Sequence, residues 1–328
     1  MERNDAPEAS WREAYAARLD ADVRTFIEET EACYPPDAAD LTVERQRTVY
    51  DAMARTFAVG RPVGIVTNDT FVDAGSHTVP VRVYDREDTT PQACVVFYHG
   101  GGFVVGGLES HDDVCAEICA ATRCRVVSVD YRLSPEHVHP AAFDDALDAY
   151  DWVGRTSGLP LVLCGDSAGG NLAAAVAHAK RGSSREPAGQ VLIYPSLGFE
   201  MEGRSYREHA NAPMLTMDDL LFYREIRSGN GDRSGEPTFA PLADGNLAGL
   251  PPTFVASAEF DPLASDGERY CQGIREAGGR AIWFEDVGLV HGHLRARHRT
   301  VRAGESFARV IAAIGAFAAG EWPYAKPV

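Results

Sequence analysis

Apolar residues in the first sixty positions recur at three-to-four spacing, as in Trp11, Tyr15, Leu19, Val23, Phe26 and Ile27, with charged residues between them. That spacing predicts an amphipathic helix. Pro35-Pro36 breaks it, Leu41 to Phe57 resumes a helical pattern, and Gly60, Pro62 and Gly64 then signal a turn. The period changes at this point. Gly64 to Val72 and Thr78 to Tyr84 carry β-branched residues at strand-like intervals, separated by the turn residues Asp73-Ala74-Gly75-Ser76.

Short and nearly continuous apolar runs follow: Cys94 to Tyr98, Arg125 to Val129, Leu161 to Cys164, Val191 to Tyr194, Thr253 to Ala256 and Ala281 to Phe284. A strand covered on both faces by helices has no polar alternation, so these runs predict a parallel sheet. Helical stretches lie between them, notably Ala142 to Val153, Ala168 to Lys180, Ser265 to Ala277 and Ala303 to Ala319. The series predicts a doubly wound α/β fold. Leu197 to Gly249 interrupts the rhythm with no clear strand, and Thr216 with Asp219 three residues on reads as a helix N-cap. The organisation expected is a helical cap segment over 1–60, a core over 61–196, a cap insertion over 197–249 and a second core segment over 250–328.

The chain has 328 residues, of which 45% are hydrophobic, and its 48 acidic against 31 basic residues give a net charge of −17. That profile excludes disordered, collagen-like and coiled-coil classes. With no excess of positive charge to neutralise phosphates, nucleic acid and anionic membrane surfaces are unfavourable partners, and a small molecule is expected. No stretch approaches the ~20 uncharged apolar residues of a membrane span. The charged N-terminus lacks the apolar run of a secretory signal, so a cytoplasmic location is expected. The seven cysteines show no C-x-x-C spacing and predict reduced, buried thiols, Cys115, Cys119 and Cys124 included, rather than disulfides or a metal site.

Candidate chemistry begins at Gly165-Asp166-Ser167-Ala168-Gly169-Gly170, between a predicted strand and a predicted helix. A strand that turns into a helix within a few residues strains the backbone at Ser167 and requires small neighbours. It also sets an exposed hydroxyl at a helix N-terminus, where free amides favour negative charge. His99-Gly100-Gly101-Gly102-Phe103 directly follows another strand, and consecutive glycines leave amides able to point at an oxyanion. A phosphate cradle is disfavoured, since neither a Lys-Ser/Thr pair nor G-x-G-x-x-G with a distal acidic residue is present.

A serine hydroxyl needs a base to take its proton and a third group to hold that base. Asp261 follows the strand from Thr253 and His291 follows the strand from Ala281, so both emerge at the sheet edge that carries Ser167. Chain order Ser, Asp, His fits a hydrolase of this fold. Glu259 competes with Asp261 as the acid. His293 competes with His291 as the base, but leads into a basic, helix-like segment and is otherwise expected at the surface, like His298. Zinc ligation is disfavoured without H-E-x-x-H or a carboxylate and Cys set.

His99-Gly100-Gly101-Gly102, Asp130-Tyr131-Arg132-Leu133-Ser134-Pro135-Glu136, Gly165 to Gly170, Asp261-Pro262-Leu263 and His291-Gly292, in that order, resemble the hormone-sensitive-lipase family of α/β-hydrolases, in its acetyl esterase and carboxylesterase branch. The resemblance runs from about Gly64 to the C-terminus. It implies an α/β-hydrolase fold with a helical cap, Ser167 as nucleophile, Asp261 and His291 as its partners, and the amides of Gly101, Gly102 and Ala168 as oxyanion hole. It also implies a serine esterase acting on short-chain esters without a metal or organic cofactor, and allows a homodimer. His293 stands where the family usually has Phe, and Ala264-Ser265-Asp266 where it tends to carry Arg, Asp and Glu. Arg132 and Glu136 are read as a polar brace beneath the oxyanion loop, and His178 as a satisfied or exposed helix residue.

A chymotrypsin-like protease shares Gly-Asp-Ser, but an Ala intervenes here, and that fold needs antiparallel strands and the order His, Asp, Ser. Amidase, formamidase or lactonase activity uses the same triad and stays open. A non-catalytic binder, as in plant hormone receptors that resemble this family and have lost the histidine, is disfavoured by the presence of His291.

Overall fold

A computed structural model describes residues 11–35, 41–198, 203–229 and 231–324. Eight strands form one sheet: β1 (Ile65–Asp73), β2 (Thr78–Arg86), β3 (Cys94–Tyr98), β4 (Arg125–Val129), β5 (Leu161–Asp166), β6 (Gly189–Ile193), β7 (Thr253–Phe260) and β8 (Ala281–Val290). Their spatial order is β1-β2-β4-β3-β5-β6-β7-β8. Only β1 with β2 and β2 with β4 pair antiparallel; every other pairing is parallel. Each residue of β3, β5 and β6 is buried, the burial that the apolar runs within them predict.

Ten α-helices are described: α1 (Trp11–Tyr15), α2 (Ala21–Glu31), α3 (Val43–Phe57), α4 (Asp112–Thr122), α5 (Ala141–Ser157), α6 (Ala168–Lys180), α7 (Arg204–Glu208), α8 (Met217–Ser228), α9 (Ala264–Glu276) and α10 (Val301–Ala318). Apolar residues of α5, α6 and α9 fill one face of the sheet, and those of α4 and α10 fill the other. Val23, Phe26 and Ile27 of α2 and Met53 and Phe57 of α3 join Phe260, Leu289 and Val290 in a third cluster, over the C-terminal ends of β7 and β8. Burying this apolar surface is what holds the N-terminal helices against the sheet. Among the described residues no helix is long and apolar enough to cross a membrane.

Two differences from the sequence pattern have local causes. The periodic run from Trp11 to Ile27 is two helices rather than one, because the chain turns between Tyr15 and Ala21, where Arg24 Nη1 donates to the Ala16 carbonyl at 2.9 Å. Pro36, expected with Pro35 to end that run, lies outside the described residues. Strands β7 and β8 continue past their apolar runs to Phe260 and Val290, since Ser257, Glu259 and Asp286 in the extensions find partners. Trp283 Nε1 donates to Ser257 Oγ at 3.0 Å, the Gly288 amide donates to Glu259 at 2.7 Å, and Ser306 and Arg309 donate to Asp286. Helix α8 starts at the predicted cap: Thr216 Oγ1 accepts from the Asp219 amide at 3.2 Å and Asp219 accepts from the Thr216 amide at 2.8 Å.

Asp266 of α9 ties the segment after β6 to the core, its Oδ2 accepting from the amides of Leu197 and Gly198 at 2.9 and 2.7 Å and from Tyr206 at 3.0 Å. Burial raises its carboxyl to about 6 in spite of those donors. A folded-state value above the unfolded one favours the protonated protein, so this residue's contribution to stability is greatest below about pH 4 and is lost as pH rises through 6. Denaturant titrations of parent and Asp266→Asn should therefore give stability–pH curves that run parallel below about pH 4 and above about pH 7, with the parent losing stability relative to the variant in between.

Candidate active site

A single residue, Ser167, connects β5 to α6, and it does so at φ 52° and ψ −115°. This is an unfavourable conformation for a residue with a side chain. Backbone bonds on both sides hold it: the Ser167 amide donates to the Ile193 carbonyl at 2.9 Å and the Asn171 amide to the Ser167 carbonyl at 3.1 Å. The helix can lie this close to the sheet because position 169 is glycine, where a Cβ would collide with the Tyr98 carbonyl.

Phe260 of β7 is paired with Val290 of β8, and each strand places one further residue beyond the pair: Asp261 and His291. Asp261 is fully buried. Its Oδ1 accepts from the Leu263 amide at 2.8 Å and its Oδ2 lies 2.7 Å from His291 Nδ1. His291 Nε2 lies 2.9 Å from Ser167 Oγ. With the imidazole proton on Nδ1, donated to Asp261, Nε2 accepts from the serine hydroxyl. The ring of Tyr194 packs beside the imidazole, centroids 4.7 Å apart.

The loop after β3 has positive φ at three consecutive residues, Gly101 at 124°, Gly102 at 60° and Phe103 at 64°. Position 102 also needs glycine for space, because a Cβ there would overlap the Tyr223 ring of α8. Among the described residues no acceptor takes the amides of Gly101 and Gly102, and the Ala168 amide is the first of α6, where helix geometry leaves N–H groups unpaired. The root of the loop is fixed by Tyr131, which donates to the His99 carbonyl at 2.6 Å while stacking on the His99 ring at 4.3 Å. Burial drives the His99 imidazole down to about 3, so this support is neutral.

The competing candidates have other partners. Glu259 accepts from Arg18 at 3.1 Å as well as from the Gly288 amide. His293 is buried rather than at the surface, 3.0 Å from the Val290 carbonyl and 3.1 Å from Ser306 Oγ. His298 is exposed against Glu117, and His178 sits between Asp244 and Tyr270. Arg132 braces α5 through Asp145, whereas Glu136 receives both terminal nitrogens of Arg47, whose Nε donates to the Val104 carbonyl at 2.8 Å. Glu136 thus couples α3 to the loop.

Two further features are not apparent from the sequence, the partners of Asp166 within its motif and the meeting of Arg295 with Tyr50. Asp166 receives the Gly100 amide at 2.8 Å and lies 3.2 Å from His111 Nε2. Burial opposes its ionisation, but the His111 ring, Arg295 and the Gly100 amide together hold it down at about 2. Arg295 and Tyr50 meet at 2.7 Å. Both line a cavity of about 590 Å3 that also takes in Ser167, His291, Gly101 and Gly102, with Leu215, Leu220 and Tyr223 on the side of α8. Among the described residues there is no grouping of His, Cys, Asp and Glu fit to hold a metal. The seven cysteines are unbridged, and all but Cys33 are buried.

Residues 95–295 match the family described as having the α/β-hydrolase fold. The chain is similar to esterase LipI of Mycobacterium tuberculosis, 38% identical over 239 residues covering 69% of this chain and 74% of that protein. Carboxylesterase NlhH of the same organism is 36% identical over 253 residues, covering 73% and 79%. Among solved structures, the hyperthermophilic esterase of the archaeon Pyrobaculum calidifontis superposes with a TM-score of 0.83 at 31% identity, covering 92% of this chain and 99% of that one. The chain belongs to the α/β-hydrolase family, in its hormone-sensitive-lipase-like carboxylesterase branch.

Proposed function

We propose that the protein hydrolyses short-chain carboxylic esters through an acyl-enzyme on Ser167. As a member of its branch it is an enzyme of the carboxylic ester hydrolase class. One observation carries the finer reading: an unbroken hydrogen-bond chain from Asp261 through His291 to Ser167, with steps of 2.7 and 2.9 Å, ending in the cavity. His291 takes the hydroxyl proton as Ser167 attacks the ester carbonyl, and Asp261 steadies the imidazolium that forms. The oxygen that becomes negative is received by the amides of Gly101, Gly102 and Ala168, a contribution of about 3 kcal/mol per donor to transition-state stabilisation. His291 then protonates the departing alcohol, and water repeats the sequence to release the acid. Segments 1–60 and 197–249 act as the cap over the core segments 61–196 and 250–328.

Leu215, Leu220 and Tyr223 give the cavity an apolar wall against which an acyl chain can pack. A survey of 4-nitrophenyl esters of graded acyl length should give the highest kcat/KM for acyl groups of about two to six carbons, since each extra methylene that fits gains only about 1 kcal/mol while a clash costs more. A matched anilide turned over as fast as the ester would instead assign the protein to the amidases.

A further inference from the structure

The cavity contains a cation that makes no direct ion pair among the described residues and has no part in the reaction steps above. Arg295 lies four residues beyond His291 and lines the same cavity as Ser167. Among the described residues its hydrogen bonds go to neutral oxygens, Nη1 to the Ser110 carbonyl at 3.2 Å and Nη2 to the Tyr50 hydroxyl at 2.7 Å. No carboxylate among the described residues forms an ion pair with it. The neighbouring Arg297, by contrast, is held by Asp113 and Glu117 at 2.6 Å each, and Arg224 by Asp232 at 3.2 Å. Arg227 is sealed between Phe103 and Phe239, its guanidinium carbon 3.6 and 4.2 Å from the ring centres, with Nε buried and unpartnered. Arg295 is not sealed in this way: none of its nitrogens is a buried orphan, and it keeps exposed surface within the cavity wall.

The acidic residues of the cavity are already engaged. Glu31 accepts from Arg12 at 2.9 Å, Asp219 closes the α8 cap, Asp113 holds Arg297, and Asp166, whose ionised form Arg295 favours through space, is bonded instead to the Gly100 amide and lies 3.2 Å from His111. A guanidinium has five N–H donors in a planar fork that matches a carboxylate. Two are spent here on oxygens that carry no charge. Tyr50 accepts from Arg295, so its own proton is available to a second oxygen. The Arg295 guanidinium also stacks 4.8 Å from the Tyr50 ring centre, which fixes both groups in place.

We propose that Arg295 and the Tyr50 hydroxyl form a carboxylate-binding subsite of the catalytic cavity, so that the ester cleaved at Ser167 carries a free carboxylate on one arm. The substrate class is then the hemi-ester of a short dicarboxylic acid. This deepens the esterase reading and rests on it. The net charge of −17 would repel such an anion at long range, so the subsite acts through contact rather than steering.

The test compares kcat/KM for monomethyl succinate, glutarate and adipate with that for methyl hexanoate, in the parent, Arg295→Met and Tyr50→Phe. The ratio of anionic to neutral ester is internal to each variant and cancels any general loss from altered packing. The expected result is a ratio that falls by about tenfold or more in Arg295→Met and by about threefold in Tyr50→Phe, as for loss of a charge-assisted pair and of one hydrogen bond. A ratio unchanged in Arg295→Met overturns the proposal, as does a parent that prefers methyl hexanoate by more than about tenfold. Calorimetric binding of monomethyl glutarate to Ser167→Ala, with and without Arg295→Met, separates the two levels. Absence of any ester turnover by the parent refutes the esterase reading alone, while equal affinity in both calorimetric arms refutes the subsite.

Discussion

Replacing Ser167 by Ala should leave a folded protein whose kcat on a short-chain ester is lower by about 10^5-fold or more, the loss seen when a hydrolase nucleophile is removed. The hydroxyl is the only atom deleted, and the alanine methyl fits wherever Cβ of serine already does. The strained elbow at φ 52° persists, because it is held by the Ile193 carbonyl and the Asn171 amide rather than by the side chain. Thermal unfolding and circular dichroism should match the parent, which separates loss of chemistry from loss of structure. A variant keeping more than about a few per cent of parental turnover would remove Ser167 from the reaction, since water in the same pocket supplies a far smaller acceleration.

Asp261→Asn should lower kcat by about 10^4-fold with a much smaller effect on KM. The amide is isosteric and can still accept the Leu263 amide at Oδ1, so the loop geometry survives. It can no longer accept from His291 Nδ1 with full charge, and where its NH2 group faces the ring the imidazole proton moves to Nε2, which then cannot accept the serine proton. Glu259→Gln is the matched control. That carboxylate serves Arg18 and the Gly288 amide, so its loss should cost less than about tenfold, the range of a partly exposed ion pair. The reverse ranking would transfer the acid's role to position 259.

The parallel sheet was legible because strands buried on both faces have no choice but to be apolar; β3 and β4 and the helix α6 have the bounds that their sequences predict. The extensions of β7 and β8 were not, because Ser257, Glu259 and Asp286 are polar and become strand residues only through partners such as Trp283 and Arg309, which local pattern cannot supply. The juxtaposition of Ser167, Asp261 and His291 followed from which strand ends carry them, a matter of chain order. The pairing of Arg295 with Tyr50 spans 245 positions and joins a helix of the N-terminal segment to a turn near the C-terminus. No motif or period links them, and only packing brings them together. The burial of His293 is hidden from the sequence for a related reason: its basic neighbours are adjacent in the chain, whereas Ser306 and Asp286, which enclose it, are remote.

The ladder between β7 and β8 has a mechanical consequence. Asp261 and His291 are each the next residue after the Phe260 and Val290 pair, where the two strands rejoin after an irregularity that follows Ala258, so the two side chains share one inter-strand link. Ser167 is attached elsewhere, through β5 and β6. Small shear between adjacent strands therefore stretches the imidazole-to-hydroxyl step and spares the carboxylate-to-imidazole step. On gentle warming the nucleophile should fall silent while the charged couple beside it stays assembled, so that inactivation precedes melting.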